Sequence, residues 1–368
     1  MKVKILDSIG IHSGTRYYMD AFIDIIHEIC DCDVEVLSNY SNTGKQPYLP
    51  YFYKGGSILK FLKLLYAGIK VFCTTLTMRN NVLYIITSYG TNIDSFLLFC
   101  SFPAKHRIVD AHEVIQQGAE SNKLYNRIYK FLYKHIKTVI IHSPRAKEVL
   151  NCIGYQGAIM TVPHFEYNLD AIYSEKALGD DVIKCIKTTK INILLFGSIS
   201  YNKGVDLLVN SVNTLPDNVK ERLNIIIAGK STDETLGGLS LEDGLYSTVI
   251  RHINDDEMKF LYSQTDYVIL PYRLTYQSGV LEMAINYSKP VIVSDIPYFH
   301  SVITKYPSFG LLTGLEVNSI HNTLIDLINK QTDDFYNQAD VYSYHHKPEI
   351  TDFINSLRDF FYTCGEIK

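Results

Sequence analysis

Lys203 stands in the stretch "FGSISYNKGVDLLVNS", residues 196–211, with glycines at 197 and 204. An apolar run, Ile193 to Phe196, stops at Gly197, and a helical pattern begins after Gly204. A helix start presents unpaired N–H groups and partial positive charge, which attract phosphate. Glycine lets an anion approach the backbone closely, and Lys203 adds a full charge to the same loop. A plain turn with a solvated lysine explains the same residues, so by itself the stretch marks only a possible anion seat.

A second stretch, "DYVILPYRLTYQSGVLEMAINYSKPVIVSD" (266–295), has the same design. A buried strand ends at Pro271, Ser278 and Gly279 open a helix, and Arg273 and Glu282 lie near its start. A carboxylate there accepts hydrogen bonds from ribose hydroxyls or simply stabilises the helix N-terminus. "IVDAHEV" ends another strand, where His112 is either satisfied by Asp110 or available for chemistry. His142 and His164, also at strand ends, read as structural. Asp31 and Asp33 have the Asp-x-Asp form of a metal motif, but they lie at a helix-to-strand turn, which turn chemistry explains.

The elements that must position these residues repeat as strand, loop, helix. "VKILDSI", "DVEVLS", "NVLYIITS", "HRIVD", "TVIIHS" and "AIMTVP" read as short buried strands. Helical stretches lie at about 13–29, 57–79, 91–101, 121–136 and 144–152. After a mixed polar linker at 166–190 a second series follows: "INILLFG", "LNIIIAG", "YSTVIRH", "DYVILP", "PVIVS" and "FGLL". Such alternation implies βαβ units and a parallel sheet. The expected architecture is α/β, with two Rossmann-like, doubly wound domains at 1–165 and 191–348. A C-terminal helix at 349–364 is placed to pack back on the first domain. Ligands of such sheets bind at the carboxyl ends of the strands, which puts the expected site in an interdomain cleft.

The totals narrow the class. The chain has 368 residues and a net charge of −4, with 46% apolar and 20% charged residues. Residues 1–165 hold 18 Lys/Arg against 12 Asp/Glu, and residues 166–368 hold 17 against 27. The first half is therefore the one suited to an anionic partner. The net negative charge and the absence of a recognisable motif argue against nucleic acid. Seven scattered cysteines give no zinc spacing and no disulfide framework. With no signal-like N-terminus, the expectation is a reducing cytoplasm. No apolar run of about twenty residues is free of charge. "SILKFLKLLYAGIKVFCTTLTM" and "KLYNRIYKFLYKHIK" mix lysines with apolar residues at helical spacing. Each reads as a membrane-surface helix or as a helix packed on the sheet.

Taken together, "FGSISYNKGVDLL", "NIIIAGK", "RHINDDEMKFLYSQTDYVILP" and "YRLTYQSGVLEMAINYSKPVIVSD" resemble the donor-binding half of GT-B glycosyltransferases, of the family 4 or group 1 type. "SGTRYYMDAFIDII", "IVDAHEV", "TVIIHSPRAKEVL" and "IMTVPHFEY" resemble that family's N-terminal half. The resemblance implies transfer of a sugar from a nucleotide-diphosphate donor to a hydroxyl of a glycan or lipid-linked acceptor. It also implies retention, no metal, no separate cofactor, and a role in bacterial-type surface polysaccharide synthesis, with the enzyme cytoplasmic or peripheral on the membrane.

The resemblance assigns donor contacts to Ser13, Gly14, Thr15, Gly197, Ser198, Lys203, Gly229, Lys230, Ile253, Arg273, Gln277, Ser278, Gly279, Val280 and Glu282. His112 becomes catalytic, and Glu113 faces the acceptor. Two positions depart from the pattern. Ser198 stands where many members have an arginine, and Arg273 is the expected substitute. Leu274 stands where many have the first of two glutamates, so Tyr276, Gln277 or backbone N–H groups would recognise the sugar. Two other readings stay open: a GT-B nucleotide-sugar epimerase and, because of the missing glutamate, a non-catalytic nucleotide-sugar-binding or partner subunit.

Overall fold

The computed structural model describes residues 2–10, 15–52, 54–78, 82–115, 123–162, 165–167, 178–275, 277–330 and 334–364. The chain divides into two compact units. Unit 1 is Met1–Phe165 with His346–Lys368, and unit 2 is Glu166–His345.

Unit 1 runs β1 (Lys2–Leu6), α1 (Thr15–Ile29), β2 (Asp33–Leu37), α2 (Ser57–Thr77), β3 (Val82–Tyr89), α3 (Asn92–Cys100), β4 (His106–Glu113), α4 (Lys123–Lys134), β5 (Thr138–Ile141), α5 (Pro144–Cys152) and β6 (Ala158–Thr161). Its strands pair in the order β2-β1-β3-β4-β5-β6, all parallel. Unit 2 runs α6 (Asp180–Lys184), β7 (Ile191–Phe196), α7 (Val205–Asn213), α8 (Asp217–Lys220), β8 (Leu223–Ala228), β9 (Tyr246–Val249), α9 (Asp255–Gln264), β10 (Tyr267–Leu270), α10 (Gly279–Asn286), β11 (Val291–Ser294), α11 (Pro297–Lys305), β12 (Gly310–Thr313), α12 (Val317–Leu327) and α13 (Gln338–His345). Its parallel order is β12-β11-β10-β7-β8-β9.

Helices cover both faces of such sheets, so the strands read as continuous apolar runs rather than as alternation. "LNIIIA", "YVIL" and "VIVS" are buried at every position. Strand order reverses between β7 and β10, which pair directly through Tyr267 with Ile193 and Val268 with Leu194. The loops that follow these two strands therefore leave the sheet side by side at its carboxyl edge, where open α/β sheets bind ligands. These are the two loops that the sequence singled out.

One expectation needs correction. Part of the expected linker is folded: α6 belongs to unit 2, where Arg251 grips Asp181 at 2.8 Å and Glu257 at 2.7 Å. The weak periodicity of 166–190 concealed this because α6 is only five residues long and buries one of them, Val182. One local bridge joins Cys30 to Cys32, the one close pair in the sequence, in the turn between α1 and β2. The C-terminal helix α14 (Pro348–Cys364) belongs to unit 1, with the Phe353 ring 5.9 Å from Phe165 and 6.2 Å from Phe22.

Candidate functional site

Three glycines let the loops of unit 2 converge. Gly204 has φ +70°, and a Cβ there would sit 1.9 Å from the Pro271 carbonyl oxygen. Gly229, at the end of β8, has φ +146°, and its Cβ would fall 1.7 Å from the Gly197 oxygen. Both positions demand glycine so that one backbone can pack on another. Gly197 is different. Its φ is +102°, yet a Cβ there would touch only the Val280 side chain, at 3.4 Å. Space for a ligand against the backbone therefore lies over Gly197, and Val280 of α10 walls one side.

Lys203 ends a single turn of 3-10 helix, Tyr201–Lys203, just before α7. Its ammonium lies 3.7 Å from the centre of the buried Tyr272 ring. Among the described residues it has no carboxylate partner. Burial pushes its pKa down to about 8, because desolvation disfavours the charged form. A ring face compensates only part of that cost. The site is thus built around a desolvated cation that an anion would stabilise.

Arg273, the expected substitute for the missing arginine, is engaged within unit 2 itself. Its guanidinium makes two hydrogen bonds to Asp206 of α7, at 2.8 and 2.7 Å, and lies 3.6 Å over the Tyr201 ring. It also donates to the Tyr201 carbonyl. The Arg273 backbone N–H reaches the Asn202 oxygen at 2.9 Å, and the Asn202 amide reaches the Leu274 oxygen at 3.1 Å. Arg273 is therefore a clip that fixes the 201–203 turn, and with it Lys203, while its own charge is neutralised by Asp206. Spacing alone could not show this pairing, since the partners are 67 residues apart. A carboxylate in the first turn of a helix was the one available signal.

Ser278 caps α10 by accepting from the Leu281 N–H at 3.2 Å. This leaves the N–H groups of Gly279 and Val280 outside the helical ladder, as at any helix start. Glu282 is not beside them. It is buried and accepts hydrogen bonds from Tyr344 of α13 and from Tyr298 of α11, the latter at 3.4 Å. Helical phase explains the difference. Val280 faces Gly197, and a residue two positions on is turned about 200° away. Its Oε1 thus faces tyrosines of α11 and α13. Ser198 and Lys230 are exposed beside the Gly197 loop, whereas Ile253 is buried ahead of α9. The Gln277 carbonyl accepts from the Thr275 hydroxyl. Tyr276 lies outside the described residues.

In unit 1, His112 lies near the end of β4 and is buried. Its ring stacks between Tyr89 at 4.9 Å and His142 at 4.5 Å, with Tyr18 edge-on. Asp110 sits 2.7 Å from His142 Nε2 and 3.6 Å from His112 Nε2. Burial, reinforced by His142, drops the His112 pKa to about 3. At physiological pH this imidazole is neutral, so it can exchange hydrogen bonds but carries no charge. Ligand atoms of Asp110, His112 and His142 lie within 4.8 Å of one another. The two rings are nearly parallel, with an interplanar angle of 16°, so their lone pairs do not converge on one metal position. Glu113 follows His112 and is partly exposed. Ser13, Gly14 and His164 lie outside the described residues, and Thr15 opens α1.

Comparison with known proteins places these observations. Residues 181–345 match the family model described as "Glycosyl transferases group 1". A Klebsiella pneumoniae relative, "Uncharacterized 41.2 kDa protein in cps region", is 26% identical over 221 residues. That match spans 59% of this chain and 58% of the relative. The sucrose-phosphate synthase of Thermosynechococcus elongatus superposes with a TM-score of 0.69 at 12% identity, covering 100% of both chains. Anabaena Alr3699/HepE, solved in complex with UDP-glucose, superposes with a TM-score of 0.65 at 14% identity, covering 99% of each chain.

Proposed function

We propose that this chain, which has the GT-B fold and matches the group 1 glycosyltransferase model over residues 181–345, transfers a sugar from a nucleotide-diphosphate donor to a hydroxyl of a glycan or lipid-linked acceptor. The observation that carries this reading is the Lys203 ammonium. It is desolvated, has no carboxylate partner among the described residues, and lies in a loop clipped in place at the strand-order switch of unit 2. A donor diphosphate supplies the counter-charge. As the glycosidic bond breaks through an oxocarbenium-like transition state, negative charge grows on the leaving diphosphate. Lys203 and the Gly279 and Val280 N–H groups then stabilise it by preorganised electrostatics. On this reading Gly197 admits the donor against the backbone, and Val280 sets its position.

His112 is the catalytic candidate of unit 1, acting as a neutral hydrogen-bonding group towards a sugar hydroxyl, and Glu113 is the acceptor candidate. Retention, metal independence and a cytoplasmic or peripheral location belong to the same proposal. A role in surface polysaccharide synthesis is supported by the cps-region relative.

The test is turnover. Purified protein incubated with UDP-, GDP- and ADP-sugars should release nucleoside diphosphate slowly from one class of donor, with water as a poor acceptor. Release should accelerate when a lipid-linked or glycan hydroxyl is supplied. Conversion of the donor to an epimer without any acceptor would select the epimerase reading. Binding without turnover under either condition would select the non-catalytic one.

A further inference from the structure

α2 is built inside out. Its 21 residues bury a stripe of small side chains, Ala67, Gly68, Val71 and Thr75. The large apolar residues Ile58, Phe61, Leu65, Ile69, Phe72 and Leu76 recur at intervals of three and four, and they are 44–79% exposed. A helix normally turns such a stripe towards the core. This one turns it to solvent.

The face continues past α2. Leu65, Ile69 and Phe72 form one side of an apolar groove of about 460 Å³, with Phe99 of α3 on the other. Phe99 also lines a second groove of about 410 Å³ with Ile128 and Phe131 of α4. The exposed patch therefore runs across three helices, an extent that marks an interaction surface.

Charge identifies the occupant. α2 and α4 carry no Asp or Glu, and although Lys63 and Lys70 bond the chain's own carbonyls, Lys60, Lys123, Arg127, Lys130 and Lys134 are exposed. The one carboxylate of α3, Asp94, is buried. A two-fold dimer would set this patch against its own copy and bring like charges together. An anionic bilayer surface instead neutralises the cations and takes up the apolar side chains. No described helix is long and apolar enough to cross a membrane, so α2 would lie in the plane of the interface.

We propose that the α2–α3–α4 face of unit 1 docks on an anionic lipid surface, with the α2 stripe inserted and the two grooves open to acyl chains. This deepens the peripheral location proposed above and rests on that reading, while the donor site plays no part in it. The test is co-flotation of the full chain with vesicles of phosphatidylcholine alone or with phosphatidylglycerol added, an anionic lipid that gives the surface a negative potential. Wild type should float with the anionic vesicles and be released by salt. Phe61→Ser, Ile69→Ser and Phe72→Ser combined should abolish flotation, with the melting transition and nucleoside-diphosphate binding retained. Lys60→Glu and Arg127→Glu should each weaken binding by about fivefold or more, from the contribution of one cation near such a surface. Flotation unchanged by the triple substitution would overturn the proposal. So would a wild-type dimer in light scattering that the triple substitution dissociates, with no vesicle binding by either form.

Discussion

Lys203→Ala should weaken nucleoside-diphosphate binding about 10- to 100-fold while leaving the melting temperature unchanged or slightly higher. A hydrogen bond to a charged group contributes about 1.5–3 kcal/mol, and this ammonium has no carboxylate partner among the described residues to take up the loss. The unliganded protein already bears the cost of keeping the charge desolvated, as the pKa of about 8 shows. Removing the charge therefore relieves the empty site and damages the filled one. Glu113→Ala, in the other unit, should change the same affinity far less. Titration calorimetry with UDP, GDP and ADP reads both variants. Equal effects at the two positions would remove Lys203 from the role given to it.

Gly204→Ala, one residue on, should do the opposite and unfold rather than merely disarm the site. The residue sits at φ +70°, and its Cβ would meet the Pro271 oxygen at 1.9 Å. The left-handed conformation alone costs about 1–2 kcal/mol for a residue with a side chain, and the collision with backbone adds to it. A total of about 3 kcal/mol corresponds to a fall of roughly 6–12 °C in melting temperature for a unit of this size. Donor binding should fall with it, because the same glycine holds the Lys203 loop against the Pro271 loop. A melting temperature within about 1 °C of wild type would mean that the two loops do not abut as described. The two neighbouring substitutions thus separate charge from architecture.

The sequence made the sheets legible because strands buried on both faces need unbroken apolar runs, and "INILLF", "LNIIIA" and "VIVS" are such runs. The site loops were legible for the same kind of reason: glycine at 197, 204 and 229 meets backbone demands that other residues meet poorly. What escaped was direction. Arg273 and Lys203 are both cations near the same helix starts, and only three-dimensional pairing reveals that Asp206 occupies the first and leaves the second. Glu282 lies in the expected turn, yet helical phase points it at Tyr298 and Tyr344. Counting residues from Val280 carries that information, but only once the side facing Gly197 is known. α2 was recognisable as a helix, but its spacing left open whether the large apolar residues meet the sheet or an outside surface. The small-residue stripe at 67, 68, 71 and 75 was the clue.

The central claim is that the Lys203 ammonium is the anion seat, and proton linkage tests it most directly. With the free ammonium near pKa 8, a bound diphosphate favours the charged form and raises that value. Affinity should be flat below pH 8 and then fall by up to tenfold per pH unit until the raised pKa is reached. At pH 9 most free molecules lack this proton, so binding should take up close to one proton. Calorimetry of the same titration in two buffers of different ionisation enthalpy measures that uptake. Near one proton in wild type and none in Lys203→Ala is the predicted result. No uptake at pH 9 in wild type, or the same uptake in the variant, would contradict the account.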